Sequence, residues 1–365
     1  MFKRTIYFTS LSCLIVSSNS LGQSTPEGFI SFGVFYDQDY TLEMIGLKKL
    51  NEDRNYTMGL GLYYSSSELS SYSKLYWVNN KISFLIKNNV RQGSTKYCAI
   101  MLANGSFTPD SLPAKYVIKN DRPYSSITYL QLQSNLVNTT THQKFTIAVS
   151  AGLLGTNLSE KAQTSIHKSM NRGDTMDPRT PKGWDNQISD KGEPSILVSF
   201  RKEKLLTTKH VLSGTNRKFG GEFKCSWKIN AGWYSSAVAE LSYRLGLIDP
   251  QNWIYMSNAL GASNGFAPTT KKGEVFLYGS LRSNIIAYNA LMNGQFQKSP
   301  HTFSKEINPL VLDGEGGIVI IPIVSSSIIL ETRIKINTRT PEFKAEGRKP
   351  RWHHWMGLDL LITFI

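Results

Sequence analysis

Apolar and polar residues alternate with a period of two along most of this chain. In the final segment, Met356, Leu358, Leu360, Ile362 and Phe364 all fall on one face. Because successive side chains of a strand point to opposite sides, such alternation predicts a strand with one apolar face. The same pattern recurs in segments 28–37, 57–65, 145–153 and 328–337. We therefore predict an all-β chain with about ten to twelve strands.

Charged residues on the polar faces of the strands fit either of two architectures. Glu331, Arg333 and Lys335 would be ordinary on the solvated face of a sandwich, and they would also suit the polar lumen of a transmembrane barrel. The chain ends inside an alternating strand whose penultimate residue is Phe364, as outer-membrane proteins of bacteria do. In lipid every backbone polar group must be paired, so a spanning sheet must close on itself. These features, with the export signal described next, favour a transmembrane antiparallel β-barrel.

The N-terminus has the pattern of a secretory signal. Lys3 and Arg4 precede a mostly apolar stretch, and small residues lead to a cleavage site near Gly22. We predict a signal peptide over 1–22 and a single outer-membrane barrel domain over 23–365. Removing Lys3 and Arg4 lowers the net charge from +14 to +12. This charge favours an anionic partner, and phosphorylated lipopolysaccharide is the abundant one in the outer membrane.

The export signal also limits the location and the partners. We expect the protein in the outer membrane of a bacterium, in contact with outer-membrane lipid and present as a monomer. Nucleic acid is not expected as a partner of an exported barrel. The mature chain keeps two cysteines, Cys98 and Cys225, which could pair or could be two separate wall residues.

One segment, 159–171, interrupts the alternation and predicts a short helix. Ser159 is the expected N-cap of this helix. Its apolar positions recur every four residues, at Ala162, Ile166 and Met170. Gln163 and His167 share a neighbouring face. The helix could dock over the rim of the barrel or inside its lumen, and on this pattern alone His167 is more simply a structural or solvated histidine.

Acidic residues cluster where the first strand ends. Asp37 and Asp39 flank Gln38, and a second acidic run, 51–53, precedes the next strand. Their oxygens could hold a hard cation such as calcium, or they could be solvated carboxylates of loops.

Five phrases, in order along the chain, resemble the outer-membrane lipid A 3′-O-deacylase family. They lie at 36–40, 53–59, 121–125, 152–187 and 287–294. The longest phrase contains Gln163, His167 and the run Gly183-Trp184-Asp185-Asn186-Gln187. The resemblance implies a twelve-stranded outer-membrane barrel with an active site near its outer rim. It also implies calcium-dependent hydrolysis that removes the 3′-acyloxyacyl group of lipid A.

The resemblance further assigns residues to this activity. It places the family's histidine at His167, its active-site hydroxyl at Thr57, and its Asn-Asp pair at Gln38 and Asp39. The family's acidic residue after the histidine is best matched by Asp174, so Asp39 and Asp174 are the expected calcium ligands. Gln38 is one methylene longer than the family's Asn, and the acid at Asp174 is shifted by one place and shortened.

These assignments describe a hydrolytic site. A neutral imidazole at His167 would take a proton from the attacking water. Calcium would polarise the ester carbonyl, and Thr57 would orient water or substrate. Lys115, in the loop before Asp121, is expected to contact a phosphate of lipid A because of its charge and position.

Strand parity predicts the side of the wall on which the site lies. If Ile30 to Tyr36 face lipid, Asp37 and Asp39 face the lumen. If Met58 to Tyr64 face lipid, Thr57 faces the lumen as well. A helix carrying His167 in the mouth of the barrel would then meet these residues from inside.

Two other functions are compatible with the sequence. A barrel of the same ancestry could have lost its activity and serve as a structural or binding protein, and an outer-membrane esterase could act on phospholipid instead. The combination of His167, Thr57 and Asp39 favours an enzyme over the inactive barrel.

Overall fold

A computed structural model gives the fold over most of the chain. It describes residues 28–39, 55–71, 94–138, 140–170, 181–189, 191–210, 218–249, 252–253, 273–297, 307–322, 327–344 and 352–365. The predicted signal peptide, the acidic run 51–53 and Asp174 lie outside the described residues.

The described residues form twelve strands, which agrees with the number expected from alternation. The strands are β1 Ile30–Gln38, β2 Asn55–Ser66, β3 Ser94–Thr108, β4 Ser125–Asn138, β5 Gln143–Leu154, β6 Glu193–His210, β7 Lys218–Gly232, β8 Tyr234–Ile248, β9 Glu274–Asn289, β10 Leu310–Ile321, β11 Ile328–Arg339 and β12 His353–Phe364. Two α-helices occur in the same residues, α1 (Leu158–Met170) and α2 (Ala290–Asn293).

The strands close into one antiparallel barrel, as predicted. Each strand pairs with its neighbours in the chain, and β1 pairs with β12 in a register that joins Ile30 to Phe364 and Gln38 to Met356. Closure leaves no unpaired sheet edge. We call the end where β1 ends and β2 begins the upper rim. No helix among the described residues is long and apolar enough to cross a membrane.

Alternation places apolar side chains outside the barrel and polar ones inside, which confirms the expected polar lumen. On the outer face Leu60, Ile196 and Leu281 are exposed. On the inner face Arg282 and Glu331 are buried. An apolar outer surface around a polar interior is the arrangement of a transmembrane barrel.

The lumen is filled rather than open. Its middle layer consists of buried ion pairs, such as Arg201 with Glu240 at 2.8 Å and Lys335 with Asp359 at 2.9 Å. A hydrophobic layer that includes Trp253 closes the lower end, and a second layer closes the upper end. Between the ion pairs and the upper layer lies a cavity of about 120 Å³. The packing therefore gives the lumen a structural role.

The two cysteines form no disulfide. Cys98 lies buried on β3 and Cys225 half-buried on β7, and neither belongs to a disulfide. Of the two alternatives that the sequence left open, separate wall residues are the ones observed.

Candidate active site

Helix α1 forms where the sequence predicts it, but its cap differs from the prediction. The carbonyl of Asn157 accepts the first intrahelical hydrogen bond, from Lys161 N–H at 3.1 Å, so Asn157 stands at the cap position. Ser159 lies inside the first turn instead. Its hydroxyl contacts β3 and not the helix terminus: it lies 2.7 Å from the hydroxyl of Ser106 and donates to Asn104 Oδ1 at 3.1 Å. The helix is thus fastened to β3 by a residue expected to cap it.

The contacts of Ser159 place α1 against the outer wall of the barrel. Ser106 and Asn104 belong to the same row of β3 as Leu102, which is 52% exposed on the outer face. Ser106 is opposite Met58, whose row continues with the exposed Leu60. The prediction that the helix meets the site from within the barrel mouth is therefore wrong.

The surface beneath α1 is polar, although it continues a row of apolar, outward-facing side chains. We call it the outer polar patch, and it consists of Thr57, Asn104, Ser106, Thr108, Ser126 and Thr128. Residues next to the helix cover the rest of it. Thr128 Oγ1 lies 3.0 Å from Thr156 Oγ1, and Ser126 donates to the carbonyl of Thr156 at 3.1 Å. The segment from 155 to α1 thus shields polar groups that would otherwise face lipid.

Thr57 lies on this outer patch and not in the lumen, because β2 contains a bulge. Tyr56 is opposite Phe107 and Met58 is opposite Ser106, so Thr57 is an extra residue without its own partner in β3. A bulge shifts the alternation by one. Thr57 Oγ1 consequently lies 2.5 Å from the hydroxyl of Thr108 on the outer row, and Thr57 is 1% exposed. The prediction that Thr57 faces the lumen is therefore wrong, because it assumed unbroken alternation along β2.

The acids at the end of β1 divide between the two sides of the wall. Asp37 faces the lumen as predicted, where Lys335 Nζ lies 3.2 Å from its carboxylate. Asp39 lies beyond the last residue of β1, so strand parity no longer decides its direction. Its N–H donates to the carbonyl of Thr57 at 3.4 Å, and its buried carboxylate interacts electrostatically with Tyr36 of the outer row. Asp39 therefore accompanies Thr57.

Gln38 joins the same group of residues. It is opposite Met58, the residue after Thr57, and it is buried. Asp39, Gln38 and Thr57 come together as the sequence predicts, and each carries an oxygen of the kind that calcium prefers. No group of three His, Cys, Asp or Glu side chains suited to a metal occurs within the described ranges. Asp39 is thus the one predicted calcium ligand that these ranges include.

His167 lies half-buried on α1, about 12 Å along the helix axis from Ser159. One turn before it, the buried Gln163 accepts a hydrogen bond from the indole of Trp184 at 3.0 Å. The contacts of Ser159 and Gln163 hold the helix from two sides. They set the position of the helix, on which His167 lies about two turns beyond Ser159.

The run from Gly183 to Gln187 clamps α1 to the neighbouring loop. Trp184 packs on Tyr124 with ring centroids 4.8 Å apart. A β-carbon at position 183 would lie 2.5 Å from the carbonyl oxygen of Ala114, so glycine is required there. Asn186 donates to the carbonyl of Lys115 at 2.9 Å. Lys115 itself is exposed, and its role toward a phosphate stays a prediction.

An apolar groove of about 980 Å³ borders the outer polar patch on the outer wall. It includes Thr128 of the patch, and the exposed Leu102, Leu130, Leu153 and Ile196 line it. The outer polar patch and an apolar surface are therefore contiguous.

Sequence reasoning missed the residues on which the helix docks. Asn104, Ser106 and Thr108 continue the outer row of Ile100 and Leu102. A row that changes from apolar to polar toward the rim is the signal that could have revealed them. Such a change marks the part of a lipid-facing surface that another element covers.

A family model described as "Outer membrane protein LpxR" matches residues 8–364. The chain belongs to the LpxR family. The match extends over nearly the whole sequence, and it supports an outer-membrane location and the lipid A deacylase class to which the family is assigned.

Solved structures agree with this fold. LpxR from Salmonella typhimurium is similar over 92% of this chain and 99% of its own, with a TM-score of 0.65 and 14% sequence identity. The β domain of the Bordetella autotransporter BrkA covers similar shares, 92% and 98%, at 6% identity, but its TM-score of 0.38 carries no weight. No curated protein matches the chain by sequence.

Proposed function

We propose that the protein is an outer-membrane hydrolase that removes the 3′-acyloxyacyl group of lipid A. Family membership supports the broad class. The single observation that carries the proposal is the outer polar patch covered by the histidine-bearing helix α1 and bordered by an apolar groove. A lipid in the membrane can reach the outer wall of a barrel, whereas it cannot reach a packed lumen.

The histidine supplies the proton transfer in this mechanism. Ester hydrolysis at neutral pH needs a base, and an imidazole, whose ordinary pKa is about 6.5, is largely neutral there and able to accept a proton. His167 takes a proton from the water that attacks the ester carbonyl, and it then donates this proton to the departing alkoxide. Thr57, held by Thr108, orients the water or the ester beside it.

The oxygens of Asp39 and Gln38 would hold calcium, together with Asp174. Bound there, calcium would polarise the ester carbonyl and stabilise negative charge on its oxygen. Asp39 and Thr57 are fixed to each other by a backbone hydrogen bond, which keeps the oxygen donors together. A preformed set of donors loses little freedom on binding the ion.

The wider surroundings of the site suit lipid A. The apolar groove would take an acyl chain, and the exposed Lys115 would meet a phosphate of the disaccharide. We propose that the protein acts as a monomer among outer-membrane lipids and that nucleic acid is not a partner.

The test is mass spectrometry of lipid A from cells that express the full chain. We expect lipid A to lose the 3′-acyloxyacyl mass with the wild type and to keep it with His167→Asn. His142→Asn is the matched control, because His142 lies in the turn at the opposite end of β5. Purified protein with lipid A in mixed micelles should lose activity when calcium is chelated and regain it when calcium is restored.

Two results would contradict the proposal. Unchanged lipid A together with released phospholipid fatty acids would identify a phospholipid esterase. Unchanged lipid A and phospholipid, with a correctly folded barrel, would identify a binding or structural protein.

A further inference from the structure

The bulge that brings Thr57 to the outer face is held from the lumen. At this bulge Tyr56 points inward, where its ring packs on Phe107 with centroids 5.4 Å apart. Thr57 points outward to Thr108. One peptide group therefore joins a lumen residue to a residue of the proposed active site, and whatever fixes this peptide also sets the direction of the Thr57 side chain.

His353 fixes that peptide. Its Nε2 lies 3.1 Å from the carbonyl oxygen of Tyr56. A carbonyl only accepts hydrogen bonds, so Nε2 carries the hydrogen and donates it. His353 is 3% exposed and stacks on Trp355 with ring planes 19° apart, which fixes the orientation of the imidazole. Without this donor the buried carbonyl of Tyr56 would lose one hydrogen bond. Because that loss costs free energy, it would favour movement of the bulge.

A second set of contacts holds the side chain of Tyr56. Its phenol donates to Asp37 Oδ2 at 3.1 Å, and Asp37 is in turn paired with Lys335. The phenol passes close over Gly59, where a β-carbon would lie 1.8 Å from the phenol oxygen. Trp355 packs edge-on against the Tyr56 ring with centroids 5.2 Å apart. These contacts thus hold the side chain of Tyr56 in one orientation.

We propose that His353 is a positioning residue for the active site. It acts through the Tyr56–Thr57 peptide and keeps Thr57 turned toward the outer polar patch. His353 lies on the lumen side and does not touch substrate. This inference rests on the proposed function, because it requires that Thr57 take part in the reaction. Displacing a reacting group by about 1 Å costs on the order of 100-fold in rate.

The experiment compares two substitutions of His353 in the full-length purified protein. His353→Leu removes the donor, whereas His353→Gln keeps an N–H in nearly the same place. We expect His353→Leu to lower kcat for lipid A deacylation about 10- to 100-fold with little change in KM. His353→Gln should recover most of the rate. Asn284→Leu is the control, because it removes a lumen side chain that bonds the Val311 carbonyl on another wall, and its kcat should stay unchanged.

A double substitution tests whether His353 acts through Thr57. In a Thr57→Ala background, His353→Leu should cost less than about twofold, since the group that it positions is already gone. An equal loss of rate in both backgrounds would overturn the inference. So would a loss of kcat in Asn284→Leu as large as that in His353→Leu.

Hydrogen–deuterium exchange gives a reading that does not depend on deacylation. His353→Leu should speed exchange in residues 55–59 and leave β9 and β10 unchanged. If the wild type proves inactive on lipid A, the proposed function fails, while this measurement still decides whether His353 holds the bulge. Equal exchange of residues 55–59 in wild type and His353→Leu would refute that role.

Discussion

The two faces of the barrel wall at the upper rim are both polar, but they are polar in different ways. The lumen face carries full charges that pair with one another, as Arg339 does with Asp313 at 2.7 Å. The outer polar patch carries hydroxyl and amide groups, which bond to one another and to the segment between β5 and β6. Ser106, for example, meets Ser159 of α1.

This difference indicates that the two faces have different roles, one in the stability of the barrel and the other in the proposed reaction. A buried charge is tolerated when opposite charges and hydrogen bonds surround it, so the lumen network serves the stability of the barrel. Polar groups on a lipid-facing wall do not stabilise the barrel, because exposing them to lipid costs free energy. Under the proposed function, the helix that carries His167 covers these groups and leaves a shielded polar site that a lipid approaches from the membrane.

The largest effect on stability is expected in the lumen. Arg282→Met removes a guanidinium that lies 3.0 Å from Glu315 and 3.6 Å from Glu240. Because it leaves buried carboxylates undercompensated, we expect a loss of about 3–5 kcal/mol in the free energy of unfolding. Urea unfolding in lipid vesicles measures this loss.

The control for Arg282→Met is Lys202→Met, which removes a cation that packs on Phe145 at the outer face. Its effect on stability should be at most about 1 kcal/mol. Unchanged kcat in folded Arg282→Met would support the division between the two faces. A selective loss of kcat with normal stability would contradict it.

Replacing Asp39 should mainly change the rate of deacylation, whereas replacing Asp37, two positions away, should mainly change stability. Asp39→Asn should lower deacylation by about 100-fold with little change in stability, because it alters the outer site. Asp37→Asn should mainly lower stability, since Asp37 pairs with Lys335 in the lumen. Lys335 keeps Asp359 at 2.9 Å, so this loss should be smaller than that of Arg282→Met. Equal losses of rate in both variants would show that the two faces are not separate.

A smaller effect is expected from the clamp on α1. Trp184→Phe keeps an aromatic ring on Tyr124 but removes the N–H that Gln163 accepts at 3.0 Å. Losing one such hydrogen bond costs about 1 kcal/mol, so we expect a fall of roughly fivefold in kcat/KM. Trp227→Phe, on the outer wall of β7, is the matched control and should leave kcat/KM unchanged. If Trp184→Phe has full activity, the clamp does not set the position of His167.

The smallest effect is a dependence of stability on pH. Burial alone would raise the pKa of Glu342, but the guanidinium groups of Arg122 and Arg339 hold the pKa below its usual range. A carboxylate whose pKa is lowered by folding stabilises the folded state. This stabilisation is fully present above the pKa of the unfolded state, about 4.3, and it is lost as the pH falls through the pKa of the folded state. Glu342 should therefore add no pH dependence to the unfolding midpoint from about pH 8 to 5, and it should lower the midpoint below about pH 4.

Glu342→Gln isolates the part of this dependence that comes from one carboxylate. The variant should be less stable at pH 7 and should lose less stability on acidification than the wild type. Thermal melts followed by circular dichroism at several pH values measure both. The same pH dependence in the variant and the wild type would exclude Glu342 as a contributor.

Much of the fold could be predicted from the sequence, and part of the site as well. Alternation identified β1, β2, β5, β11 and β12, and the interruption at 159–171 identified α1. Thr57, Gln38 and Asp39 come together as expected. The signal peptide and the contribution of Asp174 stay predictions, as does the contact of Lys115 with a phosphate. The side of the wall was predicted wrongly, because the shift of register between Tyr56 and Met58 depends on how β2 pairs with β3.

The pattern of residues was enough to favour a closed barrel with an apolar outside. A period of two fixes which side chains share a face, and a membrane requires every backbone group to be paired. The outward direction of Thr57 and the docking of α1 on the outer wall depend instead on contacts between distant parts of the chain. A bulge and a docking helix depend on partners far away in the chain, and no local pattern of residues records where those partners lie.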